Sequence, residues 1–362
     1  MNRRSALLGA GAVAVGAAGY LQWRSMGSMA DYTAGVTAAR RPLSLQPAAL
    51  ELLRYATLAG SGHNAQPWRF DVSERQIAII PDLARRTPIV DPDDHHLFVS
   101  LGCVAETLAI AAGARGQPGQ ITFDPNGGRR VLFTFGGAPT DEPALFDAIP
   151  RRQSCRAEYD GRSVATDALQ QLTSAAALPG VELILLTEPA MIDRLRDLVV
   201  AGNTAQMTDP AFLRELKTWL RFSPRRAAET GDGLFSAASD HPTAPDWLGP
   251  LMFDLAVSAE SEADRYALQL RSSSGIAVFI GQHADPAHWV QVGRACQRFA
   301  LQATALGLSQ AHINQPVEVP GLRPELASLV GATGRRPDIV MRFGYGPTLP
   351  FSARRPIGSV LA

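Results

Sequence analysis

The sequence predicts a protein of mixed helices and β-sheets, of the α/β or α+β class, built from two related halves. Two observations lead to this prediction. Short apolar runs of strand length alternate with helical patterns along the chain, and one alanine-rich helical segment occurs twice. The predicted strands lie at residues 77–80, 131–135, 181–186, 276–280 and 339–343.

The repeated segment reads GCVAETLAIAAGARG at residues 102–116 and GRACQRFALQATALG at residues 293–307, an offset of 191 residues (293 − 102). Small residues on successive turns let two helices approach closely, so we predict a pseudo-symmetric helix pair in the core. Chance similarity between two alanine-rich helices is the alternative. We place the two halves at residues 31–140 and 141–362.

The composition is that of a folded globular protein, with 46% hydrophobic and 19% charged residues in a chain of 362. The formal net charge is zero, which gives no electrostatic reason for a nucleic-acid partner or an anionic membrane surface. Cys103, Cys155 and Cys296 are odd in number and widely spaced, unlike a disulfide framework or a zinc site. Cys103 and Cys296 fall in apolar helical patterns, which predicts buried thiols.

The first 30 residues have the pattern of a targeting segment. Arg3 and Arg4 precede an apolar run at residues 6–20, and Ser28 and Ala30 form a small-x-small cleavage candidate. This pattern resembles a twin-arginine export signal, which implies a periplasmic or otherwise exported protein that folds before it crosses the membrane. An uncleaved anchor in the inner membrane is the alternative, and we predict no other membrane contact.

Residues 61–70, SGHNAQPWRF, connect a predicted helix at residues 47–58 to a strand that begins near Trp68. The small residues at 60–62 let the backbone come close to a flat ligand, and His63 and Asn64 add hydrogen-bonding groups. This combination predicts a site for a polar heterocycle. An ordinary turn, in which these residues only shape the chain, is the alternative.

Residues 151–156 read RRQSCR, and Arg152, Ser154 and Arg156 alternate. In an extended segment these three side chains project from the same side, where two guanidiniums and a hydroxyl suit a phosphate. Lys217 is the only lysine among the 34 basic residues, so arginine pairs are frequent throughout the chain. A solvated arginine-rich turn is therefore the alternative.

Taken together, the two motifs resemble those of the FMN-dependent nitroreductase superfamily. The C-terminal stretches ATALGLSQAHINQPVEVPGLRPEL and RFGYGPTLPFSARRPIGSVL resemble its twin-arginine, Acg-like branch. The resemblance implies an α+β, nitroreductase-like fold with mixed or antiparallel sheets packed with helices, and FMN as cofactor. Because both motifs occur in one chain in reversed order, it also implies a fused, monomeric pseudo-dimer with one FMN.

The resemblance also assigns cofactor contacts to particular residues. One half supplies a loop that lies against the flavin ring, and the other supplies the phosphate contacts together with basic residues of the tail. The segment around Asn314 and Gln315 corresponds to backbone that binds flavin N5, where many family members have Glu-Gly. The implied cofactor-binding residues are Ser61, His63, Asn64, Gln66, Arg152, Ser154, Arg156, Asn314, Gln315, Arg354 and Arg355.

The implied function is reduction of nitroaromatic or quinone-like acceptors through the flavin, with a small-molecule electron donor. No protein residue need donate a proton, so we nominate no catalytic residue. Residues 221–251 are rich in Gly, Pro, Ser and Asp, which predicts a lid or a binding segment, or else a mobile loop. A lid that covers the flavin leads to the alternative function, a flavin-binding or sequestering protein without nicotinamide-dependent turnover.

A metal-dependent hydrolase is a third function to consider, because Asp91, Asp93, Asp94, His95 and His96 lie close together in sequence. Adjacent histidines in a helix or strand point apart, and no H-x-x-E-H spacing is present. The sequence therefore favours a solvated Asp/His loop and predicts no metal site.

Overall fold

The structure is a computed structural model, and it describes residues 25–138 and 142–362. The predicted export signal lies outside the described residues, except for its last six positions.

Two four-stranded antiparallel sheets with the same strand order form the framework. The first sheet has the order β1-β2-β4-β3, and the second has the order β5-β8-β10-β9. Two short strands, β6 and β7, pair in parallel elsewhere. The strands are β1 (Trp68–Val72), β2 (Gln76–Pro81), β3 (Gly119–Asp124), β4 (Arg130–Phe135), β5 (Val181–Leu186), β6 (Leu220–Arg221), β7 (Leu234–Phe235), β8 (Gly275–Gly281), β9 (Ser309–His312) and β10 (Ile339–Gly344).

Helices pack against both sheets, and two long helices, α3 and α11, occupy matching places in the two halves. The described helices are α1 (Met29–Ala39), α2 (Ala49–Ala56), α3 (His95–Gly113), α4 (Pro143–Ala148), α5 (Thr166–Ala176), α6 (Pro189–Met207), α7 (Pro210–Trp219), α8 (Pro224–Thr230), α9 (Gly249–Ala256), α10 (Ala259–Arg271), α11 (Pro286–Ala305), α12 (Gln315–Glu318) and α13 (Arg323–Leu329). Helix α3 connects the second and third strands of the first sheet, and α11 does so in the second sheet.

Helices α3 and α11 contact each other through a reciprocal pair of glycines. A Cβ atom placed on Gly102 would collide with the carbonyl oxygen of Val290, and one placed on Gly293 would collide with the carbonyl oxygen of Val99. The offset of 191 residues that relates Gly102 to Gly293 also relates Val99 to Val290. This symmetric contact confirms the predicted helix pair, and the matched sheets confirm the α+β fold with two pseudo-symmetric halves.

Each apolar run that we predicted to be a strand lies within a strand of one of the two sheets. The sequence analysis did not predict β3 or β9, which are edge strands. Each has at most three apolar or weakly apolar residues, so neither contains an apolar run. Cys103, Cys155 and Cys296 are buried free thiols, as expected for the first and last. Among the described residues, α3 alone has the length and mean hydropathy of a membrane span, and 83% of that stretch is buried in the core.

The C-terminal tail crosses from the second half to the first. After β10 the chain returns to β1, where the backbone N–H of Phe70 donates to the carbonyl of Val360 at 2.7 Å. The N–H of Ala362 in turn donates to the carbonyl of Phe70 at 2.8 Å. The tail therefore joins the first sheet and brings Arg354 and Arg355 beside the loop at residues 61–66.

The predicted lid is more ordered than its composition indicated. Residues 221–251 contain α8, β7 and the start of α9, and Phe235 is buried against Tyr32 of α1 with a ring-centroid distance of 4.6 Å. Composition does not reveal this because the apolar anchors of the lid are few and their partners are distant in sequence. The lid is thus packed between α1 and the tail.

We expect Gly102→Ala and Gly293→Ala each to lower the free energy of unfolding by about 2 kcal/mol or more, because the new methyl group forces two backbones apart. Gly35→Ala on the exposed face of α1 is the matched control, since no atom lies within 4 Å of its added Cβ. The control should be neutral or stabilising by up to about 1 kcal/mol. Urea unfolding checks this, and equal stability of all three variants would contradict the close helix contact.

Candidate functional site

A small cavity of about 40 Å³ lies where the two halves meet. Its walls come from the ring loop, defined as residues 61–66, and from the phosphate segment, defined as residues 152–156. The lid, the tail and the end of α1 complete the walls. The lining residues are Arg40, Gly60, Ser61, Asn64, Arg152, Gln153, Ser154, Arg156, Leu234, Pro350, Ser352 and Arg354. Two motifs that are distant in sequence thus face one space.

The phosphate segment is fixed by the edge of the second sheet. Ser154 forms a parallel bridge with Gln310 of β9, and the N–H of Cys155 donates to the carbonyl of Gln310 at 2.8 Å. Arg342 of β10 is fully buried and donates to the carbonyls of Cys155 at 3.0 Å and Ala157 at 2.7 Å. These contacts hold the segment extended, so Arg152, Ser154 and Arg156 all reach the cavity.

The ring loop has an unusual backbone, because three of its non-glycine residues have positive φ angles. These are His63 at 48°, Asn64 at 52° and Gln66 at 52°. Each costs on the order of 1 kcal/mol and persists only where surrounding contacts hold it, a situation concentrated at functional sites. The side chain of Gln66 supplies such contacts: it donates to the carbonyl of Gly231 at 2.8 Å and accepts from the N–H of Arg355 at 2.9 Å.

Four arginines line the small cavity, and none of the acidic residues described by the structure lines it. Arg40 donates to the carbonyls of Val36 and Ser352, and Arg354 donates to several carbonyls and to Asn64. Arg152 is 4% exposed and donates to the carbonyl of Leu58 at 3.0 Å, which leaves its Nε without a partner. The guanidiniums of Arg40, Arg152 and Arg354 are thus held by neutral oxygens, and no carboxylate among the described residues lines this cavity.

Burial is the main cause that lowers the pKa of each of these arginines. The pKa of Arg40 falls to about 9, with Arg152 adding to the effect, and the pKa of Arg354 is lowered well below its ordinary value by burial and by Arg40 and Arg152. The pKa values of Arg152 and Arg156 are lowered by burial as well. A bound anion would offset the cost of burying these charged guanidiniums and would reduce the repulsion between them.

A second cavity of about 270 Å³ adjoins the first, and the two share Arg156 and Leu234 as wall residues. Its volume is close to the lower end of the range for small-molecule pockets. Much of its wall is apolar and comes from the lid and the neighbouring helices. The apolar lining includes Met207, Leu216, Leu220, Phe222, Leu234, Met252, Phe253 and Val257.

Two uncharged histidines lie near Arg156. Burial and the nearby charges of Arg156 and His96 lower the pKa of His63 to about 4 and that of His312 to about 3. The Nδ1 atoms of both rings are buried without a hydrogen-bond partner among the described residues. His312 lines the larger cavity. These atoms can form hydrogen bonds with a polar ligand at neutral pH.

Several predicted ligand residues instead contact the protein. Asn314 lies 3.2 Å from His96 Nε2 and accepts from the N–H of Val340 at 2.9 Å. Gln315 is buried against Gly202, and Arg355 donates to the carbonyls of Gln66 and Ser359. Neither these three residues nor Gln66 line either cavity. In this ligand-free structure their side chains contact the ring loop and the core, and their contacts with a cofactor stay predictions.

Arg40 is the charged cavity residue that the sequence prediction missed, beside the uncharged lining residues Gly60, Gln153, Leu234, Pro350 and Ser352. It follows Tyr32 and Val36 at intervals of four, so all three lie on one face of α1 and are buried. Its guanidinium also lies 4.1 Å from the ring centre of Phe351 in the tail. The spacing of four residues could have predicted that Arg40 is buried. The sequence around Arg40 does not, however, show that α1 ends beside the phosphate segment.

The Asp/His cluster is only in part the solvated loop that the sequence favoured: Asp93 is exposed, but Asp91, His95 and His96 form a largely buried hydrogen-bond network. Asp91 is 4% exposed and accepts from the N–H groups of His96 and Leu97 at the start of α3. His95 is fully buried, and its Nε2 lies 2.9 Å from Oδ1 of Asp338. One nitrogen or oxygen from each of Asp91, His95 and His96 lies within 4.8 Å of the others. Hydrogen bonds within the protein already engage all three.

Burial raises the pKa of Asp338 from 3.8 to about 6 and lowers that of His95 well below 6.5. The folded protein therefore binds the Asp338 proton more tightly than the unfolded chain does. The resulting stabilisation is fully present below pH 3.8 and is lost as the pH rises through about 6.

We expect Asp338→Asn to remove this component of the pH dependence, which is on the order of 3 kcal/mol. Urea unfolding of both proteins between about pH 4 and pH 7 measures it. The wild type should lose stability relative to the variant across this interval. A difference between the two proteins that does not change with pH would contradict the assignment.

Comparison with known proteins shows similarity along most of the chain. A protein of Mycobacterium tuberculosis named "Putative NAD(P)H nitroreductase" is 28% identical over 323 residues, which cover 86% of this chain and 90% of the relative. The protein named "Putative NAD(P)H nitroreductase acg" from the same organism is 23% identical over 327 residues, covering 85% and 93%. No family model matches the sequence.

Among solved structures, a nitroreductase of Desulfitobacterium hafniense with bound FMN matches with a TM-score of 0.38 and 16% identity, over 60% of this chain and 97% of that one. The FMN-dependent nitroreductase NfnB of Mycobacterium smegmatis, in complex with NADPH, matches with a TM-score of 0.38 and 14% identity, over 56% and 88%. The chain is thus similar over most of its length to two curated relatives that are named as nitroreductases, in agreement with the resemblance drawn from the ring and phosphate motifs.

Proposed function

We propose that this protein is an FMN-binding oxidoreductase of the nitroreductase type. The observation that supports it best is the small cavity lined by Arg40, Arg152, Arg156, Arg354 and the hydroxyl-bearing Ser154, without an acidic residue among those described. A cluster of buried cations without counter-charge favours a bound anion. We take FMN as this anion because the two motifs resemble those of FMN-dependent nitroreductases, and the names of the curated relatives support that resemblance.

The residues present suit FMN in both size and chemistry. A volume of about 40 Å³ holds a few water molecules, which is the scale of one phosphate group. The unpartnered Nε of Arg152 is a donor available to phosphate oxygens. Arg156 borders both cavities, so a phosphate in the smaller one leaves the larger one for an aromatic ring system. In this arrangement the ring-loop residues Ser61 and Asn64 lie at the phosphate cavity, and no residue of the ring loop lines the larger one, which differs from the placement that the resemblance implies.

FMN, when bound, supplies the redox chemistry by accepting electrons from a donor and passing them to an acceptor. The part of the protein is to bind, orient and shield. The arginines hold the phosphate, and the apolar wall around Phe222 and Phe253 excludes water. His63 and His312 are neutral at physiological pH and serve as hydrogen-bonding groups, consistent with the absence of a nominated catalytic residue.

Nitroaromatic or quinone-like compounds are the proposed acceptors, and a reduced nicotinamide is the proposed donor. The names of the M. tuberculosis relatives support the donor. The apolar wall of the larger cavity suits planar aromatic acceptors. Because one chain contributes both the ring loop and the phosphate segment, we also propose that the protein acts as a monomer.

Arg40→Ala should weaken FMN binding at least tenfold, because it removes one of the cations at the proposed phosphate position. Arg41→Ala is the matched control: it removes a charge at the next position, from an exposed side chain that does not line the cavity. Fluorescence titration of the flavin-free proteins gives the two Kd values. Equal affinities of the two variants would remove Arg40 from the site, and failure of the wild type to bind FMN would reject the proposed function itself.

A flavin-sequestering protein is the second candidate, favoured by the contacts of the lid. Asn64 Nδ2 donates to the carbonyl of Gly233 at 3.2 Å, so the lid lies directly on the ring loop. Asp232 accepts from Arg221 at 2.7 Å and also pairs with Arg85. This buried ion-pair cluster fastens the lid to the segment that follows β2.

Reduction of the FMN-loaded protein distinguishes the two functions. A reductase loses its flavin absorption on addition of NADH or NADPH and regains it with a quinone such as menadione. Bleaching by dithionite alone would contradict the reductase and support sequestration. Under sequestration, Asp232→Ala should gain reduction by nicotinamide, whereas Glu229→Ala, an exposed control on α8, should not.

We further propose that the protein is exported, as the leader pattern at residues 1–30 indicates. Ser28, in the cleavage candidate, caps α1 by accepting from the N–H of Asp31 at 3.0 Å. The carbonyl of Met26 accepts from the N–H of Arg225 at 2.8 Å. The described residues next to the proposed cleavage site are thus hydrogen-bonded within the protein.

A further inference from the structure

Asp91, His95 and His96 place three ligand atoms around one point at the start of α3. The Nδ1 atoms of the two histidines lie 3.4 Å apart, and Oδ1 of Asp91 lies 3.5 Å from Nδ1 of His96. An Asp91 oxygen and a His95 nitrogen complete the triangle at no more than 4.8 Å. Two ligands of a tetrahedral zinc ion are separated by about 3.4 Å, whereas neighbouring ligands of an octahedral ion with similar bonds are about 3.0 Å apart. The two shorter distances are thus those of zinc ligands.

His95 is oriented for metal binding by a carboxylate on its far side. Its Nε2 lies 2.9 Å from Oδ1 of Asp338, whose other oxygen accepts from the N–H of Gly281 at 2.6 Å. A proton on Nε2 that is donated to Asp338 leaves the lone pair of Nδ1 directed towards His96. Metal-binding histidines almost always have such a partner, which fixes the tautomer and makes the ring a stronger ligand. Asp338 therefore selects the form of His95 that binds a metal ion.

Asp91 is held in place and still has lone pairs available. Its Oδ1 accepts from the N–H of His96 and its Oδ2 from the N–H of Leu97, both at 3.0 Å. A carboxylate offers about four lone-pair sites, so each of these oxygens can accept a second partner. The two backbone hydrogen bonds thus fix the carboxylate without preventing it from binding a metal ion.

His96 exchanges one partner for another when a metal ion binds to its Nδ1. In the metal-free protein the side-chain nitrogen of Asn314 lies 3.2 Å from Nε2 and donates to it, which places the ring proton on Nδ1. The ion displaces this proton to Nε2, where Oε1 of Glu318, at 4.0 Å, is the acceptor. The side chain of His96 is 12% exposed, which gives the ion a path from solvent.

The carboxylates around the cluster lack basic partners. Asp91 and Asp338 are buried, and the side chain of Glu318 is 20% exposed. Among the described residues, the ion-pair partners of these three carboxylates are histidines, while the neighbouring Arg336 pairs with Asp93. Buried carboxylates are costly unless a positive charge balances them. A divalent cation between the histidines supplies that charge.

We propose that Asp91, His95 and His96 bind a zinc ion, with water as the fourth ligand. Two imidazole nitrogens and one carboxylate oxygen suit zinc, whereas magnesium and calcium prefer ligand sets made only of oxygen. The three ligands belong to the first half of the chain, and Asp338 and Glu318 belong to the second. The ion therefore fastens the start of α3 to the second half. The pH dependence expected of Asp338 applies to the metal-free protein.

Calorimetric titration of the full-length, tag-free and flavin-free protein with zinc chloride, after removal of metals by EDTA, tests the proposal. The wild type should bind one zinc ion per chain, and His96→Gln should bind it at least about a hundredfold more weakly. His283→Gln is the matched control: this histidine is exposed near the start of α11, and its ring lies 4.7 Å from that of His288, the same centroid distance as between His95 and His96. The control should bind zinc as the wild type does.

Two further measurements keep the test decisive. Asp338→Asn, which leaves the three ligands in place, should weaken zinc binding by about tenfold or more. Cobalt(II) added to the metal-free wild type reports the geometry without any substitution, because tetrahedral cobalt absorbs visible light much more strongly than octahedral cobalt. This spectrum decides the matter if His96→Gln does not fold.

No zinc bound by the wild type, equal zinc affinity of folded His96→Gln and His283→Gln, or an octahedral cobalt spectrum would overturn the proposal. Zinc bound with full affinity by Asp338→Asn would contradict the role of Asp338 in orienting His95 and would overturn the site as drawn. No step of this test requires flavin, so its failure leaves the proposed oxidoreductase function standing.

Discussion

The close contact between α3 and α11 determines how the rest of the molecule is arranged. Gly102 and Gly293 bring each helix against the backbone of the other, and larger side chains at these positions would push the halves apart. Glu106 of α3 strengthens the contact by accepting from Arg294 at 2.7 Å and Arg298 at 2.8 Å in α11. Since the ring loop belongs to one half and the phosphate segment to the other, the width of the small cavity depends on this helix spacing.

The two halves share a framework but contribute different residues to the site. The tail brings Arg354 to the ring loop, α1 brings Arg40, and β9 aligns the phosphate segment. A symmetric second site would need its own phosphate residues in the first half. Arg40 belongs to that half, but it lines the same cavity as Arg152 of the second half. The duplication thus supplies a scaffold, and the departures from symmetry concentrate positive charge in one place.

Sequence reasoning succeeded where the signal is local. Apolar runs identified the central strands, and the glycine and alanine spacing of the repeat identified the helix pair. The alternation of Arg152, Ser154 and Arg156 predicted side chains on one side of an extended segment, and all three line the cavity. Contacts between distant segments could not be predicted from the sequence. Arg40 reaches the site because of where α1 lies in the fold, and the side chain of Asn314 is hydrogen-bonded to His96 and Val340. The Asp/His cluster looked solvated because its buried partner, Asp338, is more than 240 residues away.

The claim on which the account depends is that the arginine cavity holds a phosphate group. Parallel titration of the flavin-free protein with FMN and with riboflavin tests this most directly, because the two ligands differ only in that group. The account predicts one FMN bound per chain and a Kd for riboflavin that is higher by about a hundredfold, or roughly 3 kcal/mol, from the lost charge-assisted hydrogen bonds. Equal affinity for the two ligands, or binding of neither, would contradict it.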